Sequence, residues 1–400
     1  MTDTTLALAS ASASGQAANA SSSNCGVSAD GSKVLFTSYA SNLGTSNTNF
    51  MQHIYLKDFN GNGITRVVTA TSNTFACLAL TPDANTVVFV ADAPNGVVTT
   101  LGFEGSEPAI MVKNLSTGQQ TRVTPLRSAF ANVDSYQFAG VSDDGLRVAF
   151  IAQPTFTCSG YNCIADGPAR MLLRDLASGA LVNLESQVRI AATLGFYVPN
   201  TMAWLSPNGQ TLAFSSQAAY PEAGDTDTAG SDVYVLDIAS STVRLVNTDA
   251  AGRQITGTYG VQTFLANSGK LAFFGRTSAG LAGVFVKDLT SGALNHVLDG
   301  AALPGRVGQL SFSDDGRRVA YLEDNGFGGS LYRSIPIVLD IATGARVNAA
   351  TLSNGTVGNG NVTTNVLLSR DGNAAAFGNN STNLLGGLLT VQQVYRKMLP

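Results

Sequence analysis

A short phrase recurs seven times along the 400 residues, and it limits the fold more than any other feature. In six copies a Ser or Thr is followed by one residue, then Asp-Gly or a relic of it, then a strand ending in an aromatic, and the fifth copy is degenerate at its first position. The copies begin Ser28-Ala29-Asp30-Gly31, Thr81-Pro82-Asp83-Ala84, Ser142-Asp143-Asp144-Gly145 and Ser206-Pro207-Asn208-Gly209. They continue with Ala266-Asn267-Ser268-Gly269, Ser313-Asp314-Asp315-Gly316 and Ser369-Arg370-Asp371-Gly372. The strands that follow end at Phe36, Phe89, Phe150, Phe214, Phe273, Tyr321 and Phe377. A second phrase follows each of the first six copies, as in Ile54-Tyr55-Leu56-Lys57-Asp58 or Val233-Tyr234-Val235-Leu236-Asp237, and leads to a further β-rich run.

Each unit therefore reads as four short strands joined by turns, in which Asp-Gly supplies the left-handed φ of a two-residue hairpin. Helical periodicity is nowhere sustained. Self-similarity at this period marks a repeat fold. The expectation is an all-β, seven-bladed β-propeller of four-stranded antiparallel blades, one domain over residues 1–400. The middle of the second strand is Leu35, Val88, Ala149, Ala213, Ala272, Ala320 and Ala376, mostly small, so that twisted blades approach closely. The seventh copy, over 362–400, stops after its third strand. Thr4-Thr5-Leu6-Ala7-Leu8-Ala9-Ser10 resembles the missing fourth, so residues 1–10 are expected to complete the last blade and close the ring.

Composition bounds the partners. Only 12% of residues are charged, and 23 basic residues scattered within a net charge of -4 argue against nucleic acid. No run of 18 apolar residues exists to span a membrane. Residues 1–24 lack the basic start and apolar run of a signal peptide. The Ser/Thr/Asn/Gly-rich composition is that of a secreted, periplasmic or envelope protein. Cys158 and Cys163 bracket four residues, and either close as a disulfide, the favoured reading, or stay free. Cys25 and Cys77 fall one position apart in neighbouring repeats, which leaves a bridge between blades open. A Cys/His metal site would need more ligands nearby.

The Ser-x-Asp-Gly phrase, the apolar-apolar-aromatic strand and turns such as Asp340-Ile341-Ala342-Thr343-Gly344 resemble the bacterial TolB-like, WD40-like (PD40) repeat proteins over essentially the whole chain. The resemblance implies the propeller. It leaves activity open, because such propellers include binding scaffolds, assembly factors and partners of hydrolases.

Ten aspartates, Asp30, Asp83, Asp144, Asp315, Asp371, Asp58, Asp175, Asp237, Asp288 and Asp340, are assigned to turns, where they cap backbone amides. The acidic run that remains is Asp225-Thr226-Asp227-Thr228-Ala229-Gly230-Ser231-Asp232. Carboxylates of Asp225, Asp227 and Asp232 with a glycine between them can wrap calcium, and the alternative is a solvated loop. No other cofactor is implied. There is no Gly-x-Ser-x-Gly elbow, and His53 and His296 read as structural strand residues.

The first and third connections of each unit are tight and the others long, so long loops leave one end of each sheet. They carry aromatics, of which Phe103, Tyr161, Phe196, Tyr197 and Tyr220 are candidate partner-binding residues for a protein or a glycan. The leading expectation is a non-catalytic interaction or structural propeller. The alternative is a propeller-type carbohydrate-active enzyme that pairs Asp225 or Asp227 with Glu222 or Glu104. A third is a piece of a longer secreted protein whose activity lies elsewhere.

Overall fold

The computed structural model describes residues 5–44, 51–61, 63–70, 75–93, 107–126, 133–159, 162–189, 203–227, 230–259, 264–299, 310–324, 334–362, 364–385 and 391–400. The fold is all-β, a seven-bladed propeller of four-stranded antiparallel blades. Two compact units are distinguished by their contacts: Met1–Asp92 with Val112–Gln120 and Ala302–Pro400, and Ala93–Met111 with Thr121–Ala301. The sixth, seventh and first blades lie in the former, and the third, fourth and fifth in the latter.

Within a blade the strands follow chain order. The first is Ser22–Val27, Lys33–Ser38, His53–Asp58 and Ile64–Val68, and the fourth is Ala203–Leu205, Thr211–Ser216, Asp232–Asp237 and Thr242–Leu245. In the fifth, Gly257–Tyr259 and Phe264–Leu265 both pair with Lys270–Thr277, so the first strand is split. The seventh is Leu367–Leu368, Ala374–Asn379, Gln393–Met398 and the N-terminal Leu6–Leu8, in register Leu6↔Lys397 to Leu8↔Tyr395. Leu6 is fully buried, Ser10 Oγ donates to Gln393 Oε1 at 2.7 Å, and Lys397 Nζ donates to Thr5 Oγ1 at 2.8 Å. The N-terminus is thus the outer strand of the last blade.

The core is made by the second strands. Leu35, Val88, Ala149, Ala213, Ala272, Ala320 and Ala376 are all at 0% exposure, and the aromatic after each is equally buried. Each buried ring contributes roughly 2–3 kcal/mol.

The first hairpins are longer than the two-residue turn expected from Asp-Gly. Val27 pairs with Val34, Ser28 N–H donates to Lys33 C=O, and Gly31 N–H donates back to Ser28 C=O. The turn is a four-residue one whose last residue, Gly31, takes φ 69°. Serine and aspartate lock it: Asp30 Oδ1 accepts from Ser28 Oγ at 2.7 Å and from Ser32 N–H at 2.9 Å. The same pair of bonds recurs at Asp83, Asp144, Asn208, Asp315 and Asp371. Burial pushes the Asp30 carboxyl up, but these bonds outweigh it and hold it down at about 2.

Cys25 and Cys77 form a disulfide with Cα atoms 5.9 Å apart, joining the first strands of the first and second blades. Gly26 beside it is obligatory by packing, since a Cβ there would sit 2.4 Å from Leu80 Cβ. Among the described residues no helix is long and apolar enough to cross a membrane.

Candidate metal centre

Thr211–Ser216 and Asp232–Asp237 end in the register pair Ser216↔Asp232, and the loop between them is organised around Asp225. A single 3-10 turn, Pro221–Ala223, opens the loop and Gly224 ends it at φ 87°. Asp225 Oδ2 accepts from Tyr220 N–H at 3.0 Å and from the Tyr234 hydroxyl at 2.8 Å. Asp225 Oδ1 accepts from Asp227 N–H at 3.3 Å and from Gln254 Nε2 at 3.2 Å. Gln254 comes from the link to the fifth blade. It also donates to Asp227 Oδ2 at 3.3 Å, while its Oε1 accepts from Thr226 N–H and Oγ1. Asp232 Oδ1 accepts from Asn247 Nδ2 at 2.6 Å.

This scaffold gathers one carboxylate oxygen each from Asp225, Asp227 and Asp232 within 4.8 Å of one another. Asp225 and Asp232 are 9% and 4% exposed, so water screens their repulsion poorly. Burial, helped by the nearby charges of Asp227 and Asp225, pushes the Asp232 carboxyl up to about 6. Burial also raises the Asp225 carboxyl, but the bonds from Tyr220, Tyr234 and Gln254 outweigh it and hold it below the usual range. An all-oxygen set of this kind suits a hard cation such as calcium rather than a soft one.

The fold itself does not demand charge here. The third-strand position of Asp232 is filled by His53 in the first blade and Gln393 in the seventh, through the register pairs Ser38↔His53 and Asn379↔Gln393. Both are 1% exposed and satisfied as neutral groups. His53 Nδ1 accepts from Ala70 N–H at 3.0 Å, and Gln393 Nε2 donates to Ala18 C=O at 2.9 Å. Two other junctions between a loop and a blade link are likewise neutral. Asn19 bonds to Ser41 and Asn42, and Asn359 bonds to Thr382 and Asn383.

Tyr220 is 1% exposed, its ring 4.4 Å from that of Tyr234, and its hydroxyl accepts from Arg189 N–H. Burial pushes that hydroxyl up to about 12. Tyr220 is therefore packed beneath the loop rather than displayed on it. Phe103, Tyr161, Phe196, Tyr197 and Glu104 lie outside the described residues. Glu222 forms an ion pair with Arg189. The backbones of Cys158 and Cys163 are a register pair, while their side chains lie outside the described residues. His296 Nε2–H donates to Ala282 C=O at 3.0 Å.

Gln254, Asn247 and Tyr234 complete the site and were not singled out from the sequence. A signal for Gln254 exists in the turns Ala11–Ala17, Thr248–Gln254 and Thr351–Val357, each closed by a bridge and each carrying a glycine two residues before its end.

No protein-family model matches the chain, and no curated protein matches it. Solved structures do. An oligogalacturonate lyase from Vibrio parahaemolyticus is 11% identical with a TM-score of 0.57, covering 96% of this chain and 90% of that one. An acylaminoacyl peptidase from Pyrococcus horikoshii is 9% identical with a TM-score of 0.54, covering 95% of this chain and 52% of that one. TolB from Acinetobacter baumannii is 17% identical with a TM-score of 0.45, covering 78% and 75%. At such identities the likeness to the lyase and the peptidase is one of fold.

Proposed function

We propose that the chain is a non-catalytic interaction propeller of the cell exterior or envelope. It binds a protein partner through the long loops that join second to third strands, with the fourth-blade loop ordered by calcium. The observation that carries this reading is the placement of Asp225, Asp227 and Asp232 within 4.8 Å of one another where two comparable positions are neutral. Charge that the fold does not need is a sign of a ligand. Calcium would draw oxygens from these three residues and fix the 216–231 loop against the blade link through Gln254.

Calcium titration by calorimetry, with the Asp225→Asn/Asp227→Asn variant beside the parent, tests the ion. Cross-linking mass spectrometry of a partner captured with and without calcium tests the surface. Cross-links confined to the short hairpins around residues 28–33 and 142–147 would overturn the reading.

The second reading, a carbohydrate-active enzyme, draws on the same convergence of carboxylates. It is disfavoured by geometry: the oxygens lie closer together than the roughly 5–9.5 Å of paired glycosidase carboxylates. Product release from acidic and neutral oligosaccharides, assayed with the parent and Asp227→Asn, tests it.

A further inference from the structure

Val235 and Leu289 leave a space between the fourth and fifth blades that their counterparts fill between the seventh and first. In the fourth blade Val235 pairs with Ala213, the middle residue of the second strand, and in the seventh Arg396 pairs with Ala376 in the same way. Leu289 follows the turn residue Asp288 as Phe59 follows Asp58. The Arg396 guanidinium lies 3.8 Å over the Phe59 ring, so a long side chain and an aromatic occupy that junction. With Val235 and Leu289 in their places, a cavity of about 190 Å³ remains. That is room for about six waters or one small organic molecule.

The walls are apolar and the charges beside them are positive. Val235, Leu245, Val246 and Leu289 supply the apolar part, with Lys287 and Arg244 next to them. Lys287 is 4% exposed, and its Nζ donates to neutral groups, namely Thr248 C=O, Thr248 Oγ1 and Gly292 C=O. Asp249 attracts it, but both oxygens of that carboxylate accept from Arg253. Arg244 is exposed and pairs with Val235 across the sheet. The Asp237 carboxylate lies within its field but caps the Ser240 N–H and hydroxyl. A positive charge taken out of water without a contacting carboxylate is costly, and an anion beside it offsets part of that cost.

We propose that this cavity binds a small aliphatic monocarboxylate of about the size of hexanoate. Its carboxylate meets the Arg244 guanidinium, whose paired donors match two oxygens, and Lys287 adds its charge from within. Its chain lies against Val235, Leu245, Val246 and Leu289. A doubly charged head group is disfavoured, because the three N–H bonds of Lys287 are already made and Arg244 alone remains to receive it. The inference uses none of the residues assigned to calcium or to a partner protein, and it stands apart from that reading.

The test is a ligand-observed NMR titration of the full chain with hexanoate, hexanol and hexylamine. Hexanoate is expected to saturate one site with a Kd on the order of 1 mM. Hexanol should bind roughly tenfold more weakly, and hexylamine should not saturate. Arg244→Gln should bring hexanoate to the level of hexanol. Leu289→Phe, which places there the ring that Phe59 carries, should abolish binding of both. No saturable binding of hexanoate to the parent would overturn the proposal, as would hexanol or hexylamine binding equally well. Undiminished hexanoate binding in either variant would overturn it too. Because Arg244 is exposed, its variant decides the question even where Leu289→Phe fails to fold.

Discussion

The Tyr234 hydroxyl donates to Asp225 Oδ2 at 2.8 Å, and this bond ties the third strand of the fourth blade to the loop that precedes it. Because Tyr234 is fully buried and Asp225 nearly so, the loop is anchored from beneath and its carboxylates gather at one edge. Tyr234→Phe is expected to cost about 1–2 kcal/mol in denaturant unfolding, since it leaves a buried carboxylate with one donor fewer. Calcium affinity should fall in the same variant, because Asp225 would lose its position.

Asp232 sets a pH dependence with a definite sign. Its carboxyl titrates near 6 in the fold against an ordinary 3.8, so ionising it opposes folding. The penalty, about 3 kcal/mol, is fully present above pH 6 and gone below pH 4. Metal-free protein should therefore gain stability from this group as pH falls from 7 to 5. Saturating calcium should reverse the trend, because a bound cation favours the ionised form. Asp232→Asn should flatten both curves, as read by melting temperature from pH 5 to 7.5.

The N-terminal strand is expected to be essential to the last blade. Leu6 is fully buried against residues of the sixth and seventh blades, including Ala320, Val338 and Phe377. Leu6→Ala should cost about 2–5 kcal/mol. Deleting residues 1–10 should cost more, since Gln393 loses Ser10 as a donor and Lys397 loses Thr5 as an acceptor. An unchanged melt for either variant would contradict the strand's role.

Much of this was legible in the residues, and the reasons differ by element. Blade number and the buried second strands could be read because the Ser-x-Asp-Gly phrase and its variants lock six of the seven turns through the same side-chain bonds. The grouping of Asp225, Asp227 and Asp232 was legible because all three fall in one run of eight residues. Gln254 and Asn247 were not, since they enter from the blade link and only the fold brings them within reach. Tyr220 was misread as a displayed aromatic. An aromatic in a polar loop gives no sign in sequence that a neighbouring strand residue, here Tyr234, will cover it.

Lys287 illustrates a repeated latch between blades. The side chain is buried, and its Nζ donates to Thr248 C=O at 2.7 Å, Thr248 Oγ1 at 2.9 Å and Gly292 C=O at 2.8 Å. Lys113 reaches Val67 C=O and Arg174 reaches Val123 C=O in the same way. Burial lowers the Lys287 ammonium pKa, so the charge is held at a cost. Leu236 and Leu339 occupy the matching position, before Asp237 and Asp340, in the fourth and sixth blades. Lys287→Leu should therefore fold, losing about 1–3 kcal/mol for the carbonyls left without a donor. A loss above 5 kcal/mol in denaturant unfolding would show that the latch is indispensable.

Ala84 takes the place that Gly31, Gly145, Gly209, Gly316 and Gly372 hold in the turns built on Ser-x-Asp or Ser-x-Asn, and it does so at φ 56°. A Cβ in the left-handed region costs roughly 1–2 kcal/mol. The turn persists because Asp83 accepts from Thr81 Oγ1 at 2.6 Å and from Asn85 N–H at 2.9 Å, which fixes the backbone regardless of the residue at its end. Ala84→Gly removes the steric cost, and the added freedom of the unfolded chain offsets part of the gain. The expected result is a net stabilisation of about 0.5–1 kcal/mol in denaturant unfolding, with the same change absent for Ala29→Gly, which lies earlier in its turn. A destabilised Ala84→Gly would mean that packing of the 6%-exposed methyl outweighs the backbone strain.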